Sequence, residues 1–111
     1  CFEYLYRDAG NNKQWGEVIF ANAHLIGIPQ LIERIESALI DGEFFVAADV
    51  GIPELFFEGH DHDLDHEWHQ FFTLSKTAEQ ANDRHRRDVE GFVVALERSH
   101  QKHKRILWGI R

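Results

Sequence analysis

Methionine is missing from this chain of 111 residues, and cysteine occurs once, as Cys1. A single cysteine forms no internal disulfide, so a disulfide-stapled scaffold is excluded and a reducing, cytoplasmic setting is expected. Proline occurs only twice. No apolar run approaches the roughly 18–20 residues that cross a bilayer as a helix, so no membrane association is expected. No basic and apolar leader opens the chain. The missing methionine implies that an initiator was removed or lies upstream. Cys1 would then be an N-terminal thiol, but the sequence places no base beside it.

Loops that carry common chemistries are missing too. There is no G-x-G-x-x-G and no G-x-x-x-x-G-K-[ST], which excludes nucleotide binding through those loops. There is no G-x-S-x-G elbow. The three serines, Ser37, Ser75 and Ser99, stand in no nucleophile motif. No linker or low-complexity segment divides the chain, so residues 1–111 are read as one domain, long enough to fold without staples.

What is present is unevenly charged. The net charge is −7. Residues 1–75 hold three basic and fourteen acidic side chains, and residues 76–111 hold nine basic and five acidic. An acidic body repels phosphates, so nucleic acid is excluded as a partner. The basic C-terminal part, "RSHQKHKR" at 98–105, complements a helix C-terminus, or lies on the acidic body of its own or a second chain. A homodimer is compatible with that split.

The N-terminus reads as a β-hairpin. Phe2, Tyr4 and Tyr6 fall on one face of a first strand, and Glu3, Leu5 and Arg7 on the other. Gly10, Asn11 and Asn12 favour a turn, and Trp15–Ala21 supplies a second strand. The connection exceeds two residues, which leaves the register open. "GIPQLIERIESALIDGE" predicts an amphipathic helix near residues 28–41, started by Pro29 and ended at Gly42, with Ile28, Leu31, Ile32, Ile35, Ala38 and Leu39 as its apolar stripe. Phe44–Ala48 is a short strand. "GIPEL" at 51–55 repeats the Pro-initiated entry and predicts a single helical turn ending at Gly59. Thr77 and Gln80 fit a capping box, and the stripe Ala78, Ala81, Val89, Phe92, Val93, Leu96 predicts a long helix from about Ala78 to Lys104. "ILWGIR" closes the chain as a last strand or a docking patch.

The densest polar stretch is "GHDHDLDHEWH", residues 59–69. It holds four histidines, three aspartates and a glutamate. Read as a helix, it stacks His62, His66 and His69 on one side, the spacing at which imidazoles converge on a metal. Zinc, nickel or cobalt would suit, with Asp65 as a further ligand, and Asp65 or Glu67 as general base of a metal-dependent hydrolase. Read as a strand, the second half points His66 and His69 to opposite faces and dissolves the trio. Trp, Phe and Thr favour the strand. A solvated loop and a pH-sensitive switch are the other two readings. The stretch has no H-E-x-x-H spacing and no cysteine. His100 and His103 form a smaller pair in the basic terminus, and His85 interrupts the last stripe. The hairpin end gathers Tyr6, Arg7, Asp8, Asn12 and Trp15, a polar and aromatic mixture typical of recognition loops.

"YLYRDAGNNKQWGEVIF", "ALIDGEFFVAADVGIPEL" and "DHEWHQF" together resemble a group of small bacterial proteins with no assigned activity. The resemblance covers residues 4–72 and stops before the last helix. It implies a compact stand-alone domain and carries no catalytic residues.

The expected fold is α+β: a small, mostly antiparallel sheet, the N-terminal hairpin plus one or two further strands, packed on an amphipathic helix, with a long C-terminal helix. The expected function is a small non-enzymatic binding or regulatory module that acts through protein–protein contacts with a partner or itself. Its partner-binding candidates are Tyr6, Arg7, Asp8, Asn12 and Trp15. The alternative is a zinc- or nickel-binding protein, or metal-dependent hydrolase, using residues 60–69 with His62, Asp65, His66 and His69 as ligands.

Overall fold

The computed structural model describes the backbone of residues 1–59 and 66–109, with side chains to residue 102. It is an α+β fold. Strands β1 (Phe2–Arg7), β2 (Lys13–Val18), β3 (Phe44–Val46) and β4 (Trp68–Leu74) form one antiparallel sheet in the order β2-β1-β4-β3. Helices α1 (Ile28–Ala38) and α2 (Val89–Gly109) pack on each other and on one face of that sheet. Among the described residues, no helix is long and apolar enough to cross a membrane.

Alternation along β1 decides which face is covered. Phe2, Tyr4 and Tyr6 point inward and are at most 1% exposed. Phe2 sits at the centre of an aromatic cluster, with ring centroids 4.8 Å from Phe92, 5.3 Å from Phe71 and 5.9 Å from Phe45. Leu31, Ile35 and Ala38 of α1 and Val89, Phe92, Val93 and Leu96 of α2 complete this core. The period-3.6 stripe of α1 therefore marks a helix that buries one face on the sheet.

Several boundaries differ from the sequence reading. Helix α1 ends at Ala38, not near residue 41. Asp41 and Gly42, with φ of 53° and 70°, instead form a tight turn, in which Glu43 N–H donates to Ile40 O at 3.0 Å. Asp-Gly is the sequence suited to two successive left-handed residues, and it starts β3 rather than closing a helix. The single helical turn expected after Gly51 does not form. A 3-10 turn occupies Ala47–Val50 before it.

The largest correction concerns α2, which starts at Val89 rather than Ala78. Residues 75–88 are irregular because their polar groups have other partners. Asp83 accepts from Arg87 Nε at 2.9 Å, and the Arg87 guanidinium reaches back to Val50 O at 2.7 Å. Asp88 then caps the helix, accepting from Gly91 N–H at 2.9 Å. The expected box does not form, since Thr77 Oγ1 accepts from Glu79 within a loop. Residues 106–109 continue α2, so this part of "ILWGIR" is helix rather than strand, and residues 110 and 111 lie outside the described residues.

Candidate functional site

Strand β4 begins at Trp68, so of the expected metal ligands His69 lies on the strand and His66 in the irregular backbone just before it, their ring centroids 5.2 and 5.1 Å from that of Tyr6. His62 and Asp65 lie outside the described residues. His69, on β4, is wholly buried between Tyr4, Tyr6, Phe45 and Phe56, with ring centroids 5.2 Å from Tyr6 and 5.3 Å from Phe56. Its Nε2 accepts the Leu55 N–H at 3.0 Å, and Nδ1 faces Glu67 O at 3.2 Å. An imidazole nitrogen that accepts has no proton, so His69 is neutral with its proton on Nδ1. His66 is the opposite tautomer. Its Nδ1 accepts the Trp68 N–H at 3.2 Å, and Nε2 donates to Arg7 O at 2.6 Å. As folded, each ring has its lone pair on a backbone N–H. The two histidines fasten the strand and its covering segment.

That segment, residues 53–57, crosses the inner face. Tyr4 Oη donates to Pro53 O at 2.6 Å, and burial pushes the Tyr4 phenol up to about 12. Tyr6 Oη donates to His66 O at 2.8 Å. Gly16 makes the close approach possible: a Cβ there would lie 2.9 Å from Leu55 Cδ2. Tyr6, expected at a partner surface, is therefore a core residue with 0% exposure.

Among the described residues, the group that brings three imidazole or carboxylate donors within 4.8 Å is His24, Asp88 and Glu90, at the start of α2. Each has a structural task there. His24 pairs with Glu90, Arg34 lies 3.9 Å from the same carboxylate, and Asp88 is the helix cap. No residue of this trio belongs to the histidine stretch.

The hairpin candidates divide. Asp8 accepts from the Asn12 main-chain N–H at 2.8 Å and side-chain amide at 3.1 Å. These bonds, first the main-chain one and then the side-chain one, hold the Asp8 carboxyl below its usual range. Asp8 and Asn12 therefore brace the turn. Arg7 and Trp15 are exposed, and both stand on the outer face of the sheet.

This outer face leaves apolar surface open at Trp15, Phe72 and Trp68, while Leu25 and Val94 are exposed elsewhere. Trp15 on β2 and Phe72 on β4 meet edge to face at 5.0 Å. Strand β1 lies between β2 and β4, so the two rings bridge across it. Beneath them Leu5 is only 2% exposed, although it is not part of the main core. The two residues are 53% and 57% exposed. Phe72 reaches this position through a bulge, since β1 pairs Glu3 with Thr73 and Tyr4 with Phe71, leaving Phe72 as the extra residue. Trp68, opposite Val46 on β3, extends the patch toward the β3 edge, where Phe44, Ile40 and Asp41 line a shallow cavity with it.

Charges order this face along the strands. Glu3 stands opposite Glu17 at one end, and Arg7 opposite Lys13 at the other. The α-amino group of Cys1 lies by the acidic end. Burial pushes its pKa down, against the opposing influence of Glu3, Glu17 and Glu79.

Sequence reading named Arg7 and Trp15 and missed Leu5, Phe72, Glu3 and Glu17 as members of one surface. Alternation put Glu3, Leu5 and Arg7 together, but the bulge in β4 is a tertiary feature. Comparison with protein-family models, curated proteins and solved structures found no match.

Proposed function

We propose that the chain is a small non-enzymatic binding module that acts through protein–protein contacts in a reducing, cytoplasmic setting. Its docking surface is the outer sheet face. The observation that carries this reading is the Trp15–Phe72 pair, two large rings more than half exposed side by side over a buried leucine. Contiguous aromatic surface costs free energy in water and is gained back when a partner covers it. Aromatic residues are also enriched at the anchoring centres of interfaces. The hydrolase alternative has less support, because the lone pairs of His66 and His69 are engaged by backbone N–H groups.

The test is site-specific photo-crosslinking in the native host. A benzophenone side chain replaces Phe72 in one version and Gln30, exposed on α1, in a second. A protein adduct from position 72, missing from position 30 and lost on adding Trp15→Ser, is expected. Equal labelling from both positions, or none from position 72, would reject the reading.

A further inference from the structure

Three rows cross the outer face of β1 and β2. Glu3 faces Glu17, Leu5 faces Trp15, and Arg7 faces Lys13. The face is therefore acidic at one end, apolar in the middle and basic at the other. Like charges directly opposite each other destabilise a lone strand pair. Among the described residues, no Lys, Arg or His side chain pairs with Glu3 or Glu17 and no carboxylate pairs with Arg7 or Lys13. The acidic end has only the nearby Cys1 α-amino group and a 3.3 Å hydrogen bond from Cys1 Sγ to Glu17 Oε2. Among the described residues, the side chains of each end offer the charge that those of the other end lack.

We propose that the partner covering this face is a second copy of the chain, packed sheet against sheet about a two-fold axis that runs across the strands. This rests on the outer face being a docking surface, and it names the partner. A two-fold contact must be self-complementary. With the strands of the two sheets kept aligned, two orientations of the axis bring the faces together. An axis parallel to the strands sets Glu3 and Glu17 over their own copies, and Arg7 and Lys13 over theirs, so both ends repel. An axis across the strands reverses the partner's strands. Glu3 and Glu17 then lie over the partner's Arg7 and Lys13, twice by symmetry, while the Leu5, Trp15 and Phe72 centres meet. The charge layout selects the second arrangement.

Size sets the strength. Four strands about 4.8 Å apart, with six residues at about 3.3 Å each, make a face of about 20 by 20 Å. That is about 400 Å² per copy before side-chain relief, or about 800 Å² in total, below the standard interface size and in the range of weak, transient contacts. The dimer is accordingly a micromolar one, and its four pairs of opposed charges make it weaken as salt rises.

The test is sedimentation equilibrium of the full chain at low ionic strength, with two charge variants. Arg7→Glu with Lys13→Glu makes the face acidic throughout. Glu3→Lys with Glu17→Lys makes it basic throughout. The wild type is expected to dimerise in the micromolar range, and each variant alone to weaken about tenfold or more. An equimolar mixture of the two variants is expected to recover the dimer, which a merely unfolded variant would not do. Trp15→Ser with Phe72→Ser is expected to leave a folded monomer. A monomeric wild type, a dimer indifferent to the Trp15/Phe72 pair, or a mixture no stronger than its components would overturn the proposal. A monomeric wild type whose position 72 still crosslinks to a protein of another mass rejects the second copy alone. No crosslink at all rejects the docking surface as well.

Discussion

The two faces of one sheet make opposite use of the same alternating strand. Inside β1, Phe2, Tyr4 and Tyr6 are buried, and each hydroxyl has an acceptor at hydrogen-bond distance. Outside β1, Glu3, Leu5 and Arg7 lie in rows of like character, with two aromatic rings left in solvent. The inner face is complete as it stands, and its interactions hold the fold. The outer face gains less for a lone chain: its like charges stand opposite each other, and its two aromatic residues, though they lie over Leu5, stay more than half exposed. A residue's contribution to folding should therefore follow which face it occupies, not how hydrophobic it is.

Breaking the inner face should cost most. Phe92→Ala removes a ring stacked on Phe20 at 4.5 Å and set against Phe2 at 4.8 Å. Denaturant unfolding should show a loss of about 3–5 kcal/mol. Next comes His69→Ala, which leaves the Leu55 N–H without its acceptor and opens a cavity among four aromatic rings. A loss of about 3 kcal/mol is expected, against about 1 kcal/mol for His66→Ala at the exposed rim. Equal costs for the two histidines would contradict their assigned places.

The Asp83–Arg87 pair sharpens the comparison, because it is charged yet belongs to the interior. Arg87 also lies over the Phe92 ring, 5.4 Å from its centroid. Burial pulls the Asp83 carboxyl upward, but the hydrogen bonds and charge of Arg87 outweigh it and leave the group below its ordinary 3.8. A carboxyl depressed on folding contributes fully above its unfolded pKa, and the contribution is lost as pH falls through the folded value. Stability should therefore decline below about pH 4, and Asp83→Asn should cost about 2–3 kcal/mol at neutral pH and flatten that decline. An acid profile unchanged by Asp83→Asn would assign the decline to other groups. The smallest effect belongs outside: Phe72→Ser should change stability by no more than about 1 kcal/mol.

How much of this could be read beforehand depends on the range of each interaction. The hairpin, α1 and the strand character of residues 68–74 follow from local periodicity and β-prone side chains. The start of α2 does not, because the Arg87 guanidinium is held by Val50 O, 37 residues upstream. Ala78 and Ala81 fit a helical stripe, yet nothing packs them into one. The ligand trio His62, His66 and His69 needed a helix, and the residues from Trp68 onward form a strand. The outer face was half legible. Alternation grouped Glu3, Leu5 and Arg7, but a five-residue connection hid which residues of β2 stand opposite them. Only the observed register places Glu17 beside Glu3 and Lys13 beside Arg7.

The most direct measurement pairs stability with association on one variant, Trp15→Ser with Phe72→Ser. Thermal unfolding at a dilution where the wild type is monomeric should leave its midpoint within a few degrees of wild type, while sedimentation at high concentration shows the association gone. A midpoint that falls as far as that of Phe92→Ala, with association unchanged, would contradict the account, for the outer rings would then serve the fold and not a partner.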